Sequence, residues 1–304
     1  MTDELIARCE LFVENRAVFD RVYRLKERFE LSACALYMAA HGNRADEDRL
    51  RECRAVLNEN TGLLSYMRET SYAAVTLMAV SNDPEAMLER ICSAYSALRN
   101  RFHRSTSLCL AAMMLAVTSD GSDHAGMVSA AHEQYDCFKQ KHRFRMSWHD
   151  SALSLLLAMR QVLPGQAADY AETCFRSLRR RPAFRCSWVF AQVLSAHPYN
   201  AEGRCDSARE LRAALRKTFG RLSFEREIAA LFLDIEGSLS VIEDAAAVYD
   251  WLRGDKRFSG WHISREERVM LSFLLASPQD AMLYVAASLC IRKHEEQHAA
   301  AAAA

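Results

Sequence analysis

A short apolar, alanine-rich segment recurs six times along this chain, at residues 71–80, 108–117, 151–159, 188–196, 228–235 and 269–276. The ends of these segments are separated by 37, 42, 37, 39 and 41 residues. Repetition at that period marks stacked supersecondary units, because one unit cannot bury its apolar face alone and each neighbour covers the last. Within the repeats apolar residues recur at i, i+3 and i+4, and no stretch alternates apolar with polar residues as a half-exposed strand would.

Each segment, which we term helix A, is followed by a turn and an amphipathic helix B that ends on a common pattern. The pattern is an aromatic residue, Leu or Phe three later, a basic residue, and a further Phe. It reads Tyr135, Phe138, Lys139, Phe144; then Phe175, Leu178, Arg179, Phe184; then Tyr249, Leu252, Arg253, Phe258. A shortened copy has Tyr95, Leu98, Arg99 and Phe102, and a degenerate one keeps Leu215 and Arg216 but has Arg212 at the aromatic position. Helix boundaries carry matching chemistry. Asp83-Pro84 and Ser277-Pro278 place a capping oxygen before a proline at the first helical position, where its missing N–H is not needed. Ser147 with Asp150, Ser240 with Glu243, and Ser264 with Glu267 have the spacing of capping boxes.

The expectation is an all-α protein, an α-solenoid (superhelix) of stacked helical hairpins with a repeat of about 36 to 42 residues. A helix over 2–28 and a first pair over 31–60 are expected to cap one end, and the chain from 281 onward the other. With no linker or shift of composition inside, residues 1–298 read as one domain and 299–304 as an oligo-alanine tail.

Composition narrows the function classes. Of 304 residues 50% are hydrophobic, and Lys+Arg equals Asp+Glu at 39 each, which argues against a surface coated in one charge for nonspecific nucleic-acid or membrane binding. The chain opens with acids ahead of its first apolar residues and has no apolar run of the roughly 18 to 20 residues that span a bilayer, so a soluble cytoplasmic protein is expected. Ten cysteines are scattered without a CxxC pair, and read as reduced, mostly buried thiols.

The sharpest local motif is His294-Glu295-Glu296-Gln297-His298, an HExxH arrangement that on a helix sets two imidazoles one turn apart around a carboxylate. A catalytic zinc takes a third protein ligand, and only Ala299 to Ala304 follow. The motif therefore reads as a solvated helix end, with no metal, cofactor or catalytic residue assigned. His149 and His262 each follow a tryptophan, but Asp150 beside the first is better used at a helix start than as a catalytic partner.

A positional signal remains. Basic residues gather at the ends of the helices B, most densely over 176–185, and tryptophans stand beside them. Arg145, Trp148, Arg179, Arg180, Arg181, Arg185, Trp188 and Trp261 form a candidate binding edge. Cations at a helix C-terminus also complement its dipole, at about 0.3 to 1 kcal/mol each, and the aromatic rings also serve to staple one helix to the next.

Three functions are consistent with this reading. The leading one is a non-enzymatic scaffold that binds a protein or peptide. The alternative is nucleic-acid or acidic-ligand binding along the basic edge, with the tryptophans for stacking. The third is a zinc hydrolase using residues 294–298.

At Glu59-Asn60-Thr61-Gly62-Leu63-Leu64-Ser65 the chain resembles the bacterial domain-of-unknown-function family 4003, which it is also similar to in length and in the tyrosine-bearing helices that follow. The resemblance implies an uncharacterised bacterial helical protein with no established catalytic residues. Read locally, the same stretch predicts a helix C-terminus, with Gly62 at positive φ closing the cap.

Overall fold

The computed structural model describes residues 1–23, 28–62, 66–118, 124–143, 146, 150–179, 188–195, 201–222, 228–229, 232, 238–258 and 263–277. Among these residues every regular element is helical. In chain order they are α1 (Asp3–Val22), α2 (Arg28–Ala40), α3 (Glu47–Asn60), the single turn α4 (Tyr66–Glu69), α5 (Ser71–Val80), α6 (Pro84–Arg99), α7 (Thr106–Thr118), α8 (His124–His142), α9 (Asp150–Met159), α10 (Pro164–Arg179), α11 (Trp188–Ser195), α12 (Ala201–Phe219), α13 (Ser238–Arg253) and α14 (Arg265–Ala276). Five of the six repeated alanine-rich segments coincide with α5, α7, α9, α11 and α14, and most of the remaining one, 228–235, lies outside the described residues. None of the described helices is long and apolar enough to cross a membrane.

The helices form two layers. In α7 every residue from Ser107 to Ala116 is buried, in α9 every residue from Asp150 to Leu157, and in α14 every residue from Arg268 to Leu275. A helix buried on all sides must be enclosed by others. The enclosing helices are amphipathic, as α6 is with its stripe of Met87, Leu88, Ile91, Ala94 and Leu98. Stacking such hairpins with a small rotation at each step curves the array.

That curvature is tight enough to bring the ends together. α2, α5, α7, α9 and α11 pack in sequence, the outer helices run in the same order from α3 through α6, α8, α10 and α12 to α13, and α14 then packs against α2. Phe232, ahead of α13, stacks on Phe273 of α14 with centroids 4.9 Å apart.

The first helix lies across the seam. Arg8 donates to the Leu275 carbonyl at 2.8 Å, the Phe12 ring meets Phe258 at 5.1 Å, and Arg257 donates to the Val13 carbonyl at 3.2 Å. Further along, Arg21 pairs with Glu47 of α3 at 2.7 Å. The N-terminal helices, expected to cap a free end, instead join the last described helices to the second hairpin.

Several expected boundaries hold and several move. Asp83 caps α6 by accepting from Ala86 N at 3.0 Å with Pro84 in the first turn, and Ser264 with Glu267 makes a complete capping box on α14. Ser240, by contrast, lies inside α13, which begins at Ser238. α1 stops at Val22 rather than near 28, because Arg54 takes the Val22 carbonyl at 3.1 Å and sits 5.0 Å above the Tyr23 ring. Gly62 does not adopt positive φ. α3 closes through an extended Thr61, whose hydroxyl donates to Leu57 O at 2.6 Å, while Arg68 donates to Asn58 O at 2.6 Å and Thr61 O at 2.9 Å. With those carbonyls satisfied by side chains, no left-handed residue is needed.

Candidate binding edge

Because the helices alternate in direction, the turns that lead from an outer helix into the next inner one fall at one end of the ring. Three junctions show the arrangement. Phe102, just after α6, packs edge-on to Tyr135 of α8 at 5.8 Å. His142 at the end of α8 reaches Phe175 near the end of α10 and Trp188 at the start of α11, at 5.2 and 4.3 Å. Arg265 at the start of α14 donates to the Phe219 carbonyl at the end of α12. Among the described residues the recurring pattern at the ends of the helices B is thereby explained as packing: Leu98, Phe138, Leu252 and Phe258 have no exposed surface, and Phe102 and Phe175 are buried; Phe144, Phe184 and the Leu178 side chain lie outside the described residues.

Trp188 has the same role, which corrects its placement on the candidate edge. Its ring is 3% exposed and stands edge-on to Phe138 at 5.8 Å and to Phe175 at 5.6 Å, while its indole N–H points to Met146 Sδ at 3.4 Å. An indole enclosed on these sides has no face left for a base or a ligand ring. Arg145, Trp148, Arg180, Arg181, Arg185 and Trp261 lie outside the described residues, as do His149, His262 and the HEEQH motif. Arg179 closes α10, and its side chain is also outside them.

Around Trp188 the charged groups pair across α8 and α10. Lys141 Nζ is 2.7 Å from Asp169 Oδ1. Glu172 accepts from His142 Nε2 on one oxygen and from Arg176 Nε on the other. Burial pushes the Glu172 carboxyl pKa up, but the hydrogen bonds from His142 and Arg176 outweigh it and hold the group below its ordinary value. The hydrogen bond and charge of Asp169 raise the Lys141 pKa. These pairs were not anticipated; a search for opposite charges about 30 residues apart finds both.

Other cations at this end are left over. Arg99, Arg101, Arg104, Arg143, Lys217, Arg221, Arg253 and Lys256 are exposed and have no ion-pair partner among the described residues. Arg257, between the last of these and the seam, is held by Asp255 at 2.5 Å. The end of the ring is thus an enclosed aromatic layer, then a paired rim around α8 and α10, with free guanidinium and ammonium groups outside it. Three buried thiols take no part in this chemistry: burial pushes Cys9, Cys34 and Cys109 up to about 12, which keeps these three protonated at neutral pH.

No curated protein and no solved structure matches this chain. A family model does, over residues 21–292, and its description is a protein of unknown function, DUF4003. That span takes in the ENTG stretch, all the repeats and the outer-to-inner turns, and the chain belongs to the DUF4003 family.

Proposed function

We propose that this protein is a non-enzymatic helical-repeat scaffold that binds an acidic segment of a protein or peptide partner across the basic end of the ring. The observation that supports this is the set of exposed cations at one phase of the repeat, from Arg99 through Arg143 to Arg253, that have no ion-pair partner among the described residues. Helix-dipole complementation accounts for one or two cations per helix end, and the end of α6 with the turn after it presents Arg99, Arg101 and Arg104. Solenoid-type arrays offer extended surfaces of this kind without a concentrated reactive centre. A bacterial cytoplasm suits the eight unbridged cysteines among the described residues.

The enclosure of Trp188 weakens the nucleic-acid reading, which relied on tryptophans for stacking. Fluorescence anisotropy with a labelled glutamate-rich peptide and a single-stranded oligonucleotide of matched charge separates the two. The expected result is peptide binding that weakens with salt and is lost in R99E/R101E/R104E. Oligonucleotide binding with none to the peptide replaces this proposal, and no binding to either at low ionic strength removes it.

A further inference from the structure

Cys174 on α10 and Cys205 on α12 face each other between adjacent outer helices, and the Cys205 thiol donates to the Cys174 sulfur at 3.2 Å. This is the one sulfur–sulfur hydrogen bond among the described residues. Both side chains are buried, Cys174 completely and Cys205 at 4% exposure. Tyr170, one turn before Cys174, lies close enough to feel both thiols, which add to burial in pushing its phenol up. Neither the repeat nor the basic end requires two thiols to meet here, and other inner and outer helices place single cysteines in the core without such a contact.

We propose that Cys174 and Cys205 are a dithiol that a hydroperoxide converts into a disulfide joining α10 to α12. Cys205, the less enclosed sulfur, attacks first. Its thiolate bonds to one peroxide oxygen, the O–O bond breaks, and Cys205 sulfenic acid and hydroxide result. The Cys174 thiolate then attacks the Cys205 sulfur, the S–S bond forms, and the sulfenic oxygen leaves as hydroxide. The two thiol protons neutralise the two hydroxides, so that two thiols and one hydrogen peroxide give one disulfide and two waters. Each sulfur loses one electron and the peroxide gains two.

Geometry favours the second step. The sulfurs have only to close from 3.2 Å to the roughly 2.05 Å of a disulfide. A resolving thiol in contact also captures the sulfenic acid before further oxidation. The bond closes a covalent loop from 174 to 205 that contains α11 and the arginine-rich stretch 179–185.

The test treats the folded full-length protein with graded hydrogen peroxide, alkylates the remaining thiols, and maps the peptides by mass spectrometry. The expected result is a crosslinked Cys174–Cys205 peptide, lighter by two hydrogens and reversed by dithiothreitol, that appears before the partly exposed Cys92 and Cys137 are modified. C174A is expected to leave Cys205 as a sulfenic acid that dimedone traps. Modification of Cys92 or Cys137 while Cys174 and Cys205 stay alkylatable overturns the proposal, and so does recovery of the two as separate sulfinic acids. The wild-type map stands without the variant, so a misfolded C174A does not obscure the outcome.

Discussion

Trp188 does at the scale of one residue what the repeat does at the scale of the chain: it buries an aromatic face that two neighbouring hairpins share. Truncating a large buried ring leaves a cavity that packed neighbours fill only in part, and Trp188→Ala is expected to cost about 3–5 kcal/mol in urea unfolding. Arg143→Ala, on the exposed rim outside it, should stay within about 0.5 kcal/mol of wild type. Equal losses for the two would contradict the enclosed ring. Beside it, Glu172 links stability to pH. Its folded pKa lies below the ordinary 4.5, so the unfolded chain binds its proton more readily. The contribution is complete above that ordinary value and disappears as pH falls through the folded one. Urea midpoints of wild type and Glu172→Gln should therefore differ at neutral pH and converge as pH falls through the lowered folded pKa of Glu172; a gap that stays constant as the solution is acidified would exclude the carboxylate as the cause. The position of Trp188 at a helix start beside basic residues was legible in the sequence, but not its depth. Trp188 opens a helix beside basic residues whether it faces solvent or core, and only the rings of Phe138 and Phe175, brought from two other helices, decide between the two.

At the scale of elements, caps decide where helices stop, and the chain uses more than one device. After α2, Gly42 takes φ 68° and the Asn43 N–H returns to Met38 O at 2.8 Å, with Gly42 N to Ala39 O at 3.0 Å. These are the two bonds of a Schellman cap, in the residue type that suits it. α9 ends with the same pair of bonds, Val162 N to Leu157 O at 3.2 Å and Gln161 N to Ala158 O at 2.9 Å, but with Gln161 at φ 55°. A side chain there strains against the backbone, so Gln161→Gly is expected to raise stability by about 0.5–1 kcal/mol despite glycine's greater freedom when unfolded. A loss of stability on that substitution would show that Gln161 has a compensating contact. Such caps explain which boundaries were legible. Asp83 and Ser264 act through their own helix, so their spacing was sufficient to place them. α3 ends at Asn60 as expected, but the form of its cap was misjudged because Arg68, from the next element, satisfies carbonyls that Gly62 was expected to cover. The sequence places an arginine there without saying which carbonyl it reaches.

At the scale of the whole molecule the period predicts stacking but not curvature, since a small change in rotation per hairpin separates an open superhelix from a ring. The difference is physical as well as geometric. In an open array each terminal repeat has one neighbour and frays first. Here α2 packs against both α5 and α14, and α1 fastens the seam through Arg8, Phe12 and Val13. Hydrogen exchange should accordingly find α2 and α14 protected to nearly the same degree as α7 in the middle of the chain, and rapid exchange in α14 of the wild-type protein would mean that the seam is open in solution. Phe12→Ala tests the clasp directly. It removes a ring with no exposed surface, at about 3–5 kcal/mol, and the loss should appear first as deprotection of α14 and α2 while α7 and α9 keep theirs. Small-angle scattering adds an independent reading. A compact chain of 304 residues has a radius of gyration of about 19 Å, which the closed ring should approach, and parting at the seam in Phe12→Ala should increase it. Uniform deprotection of all inner helices with an unchanged radius would instead assign Phe12 to a common core, and the two ends of the array would then be held together by α2 and α14 alone.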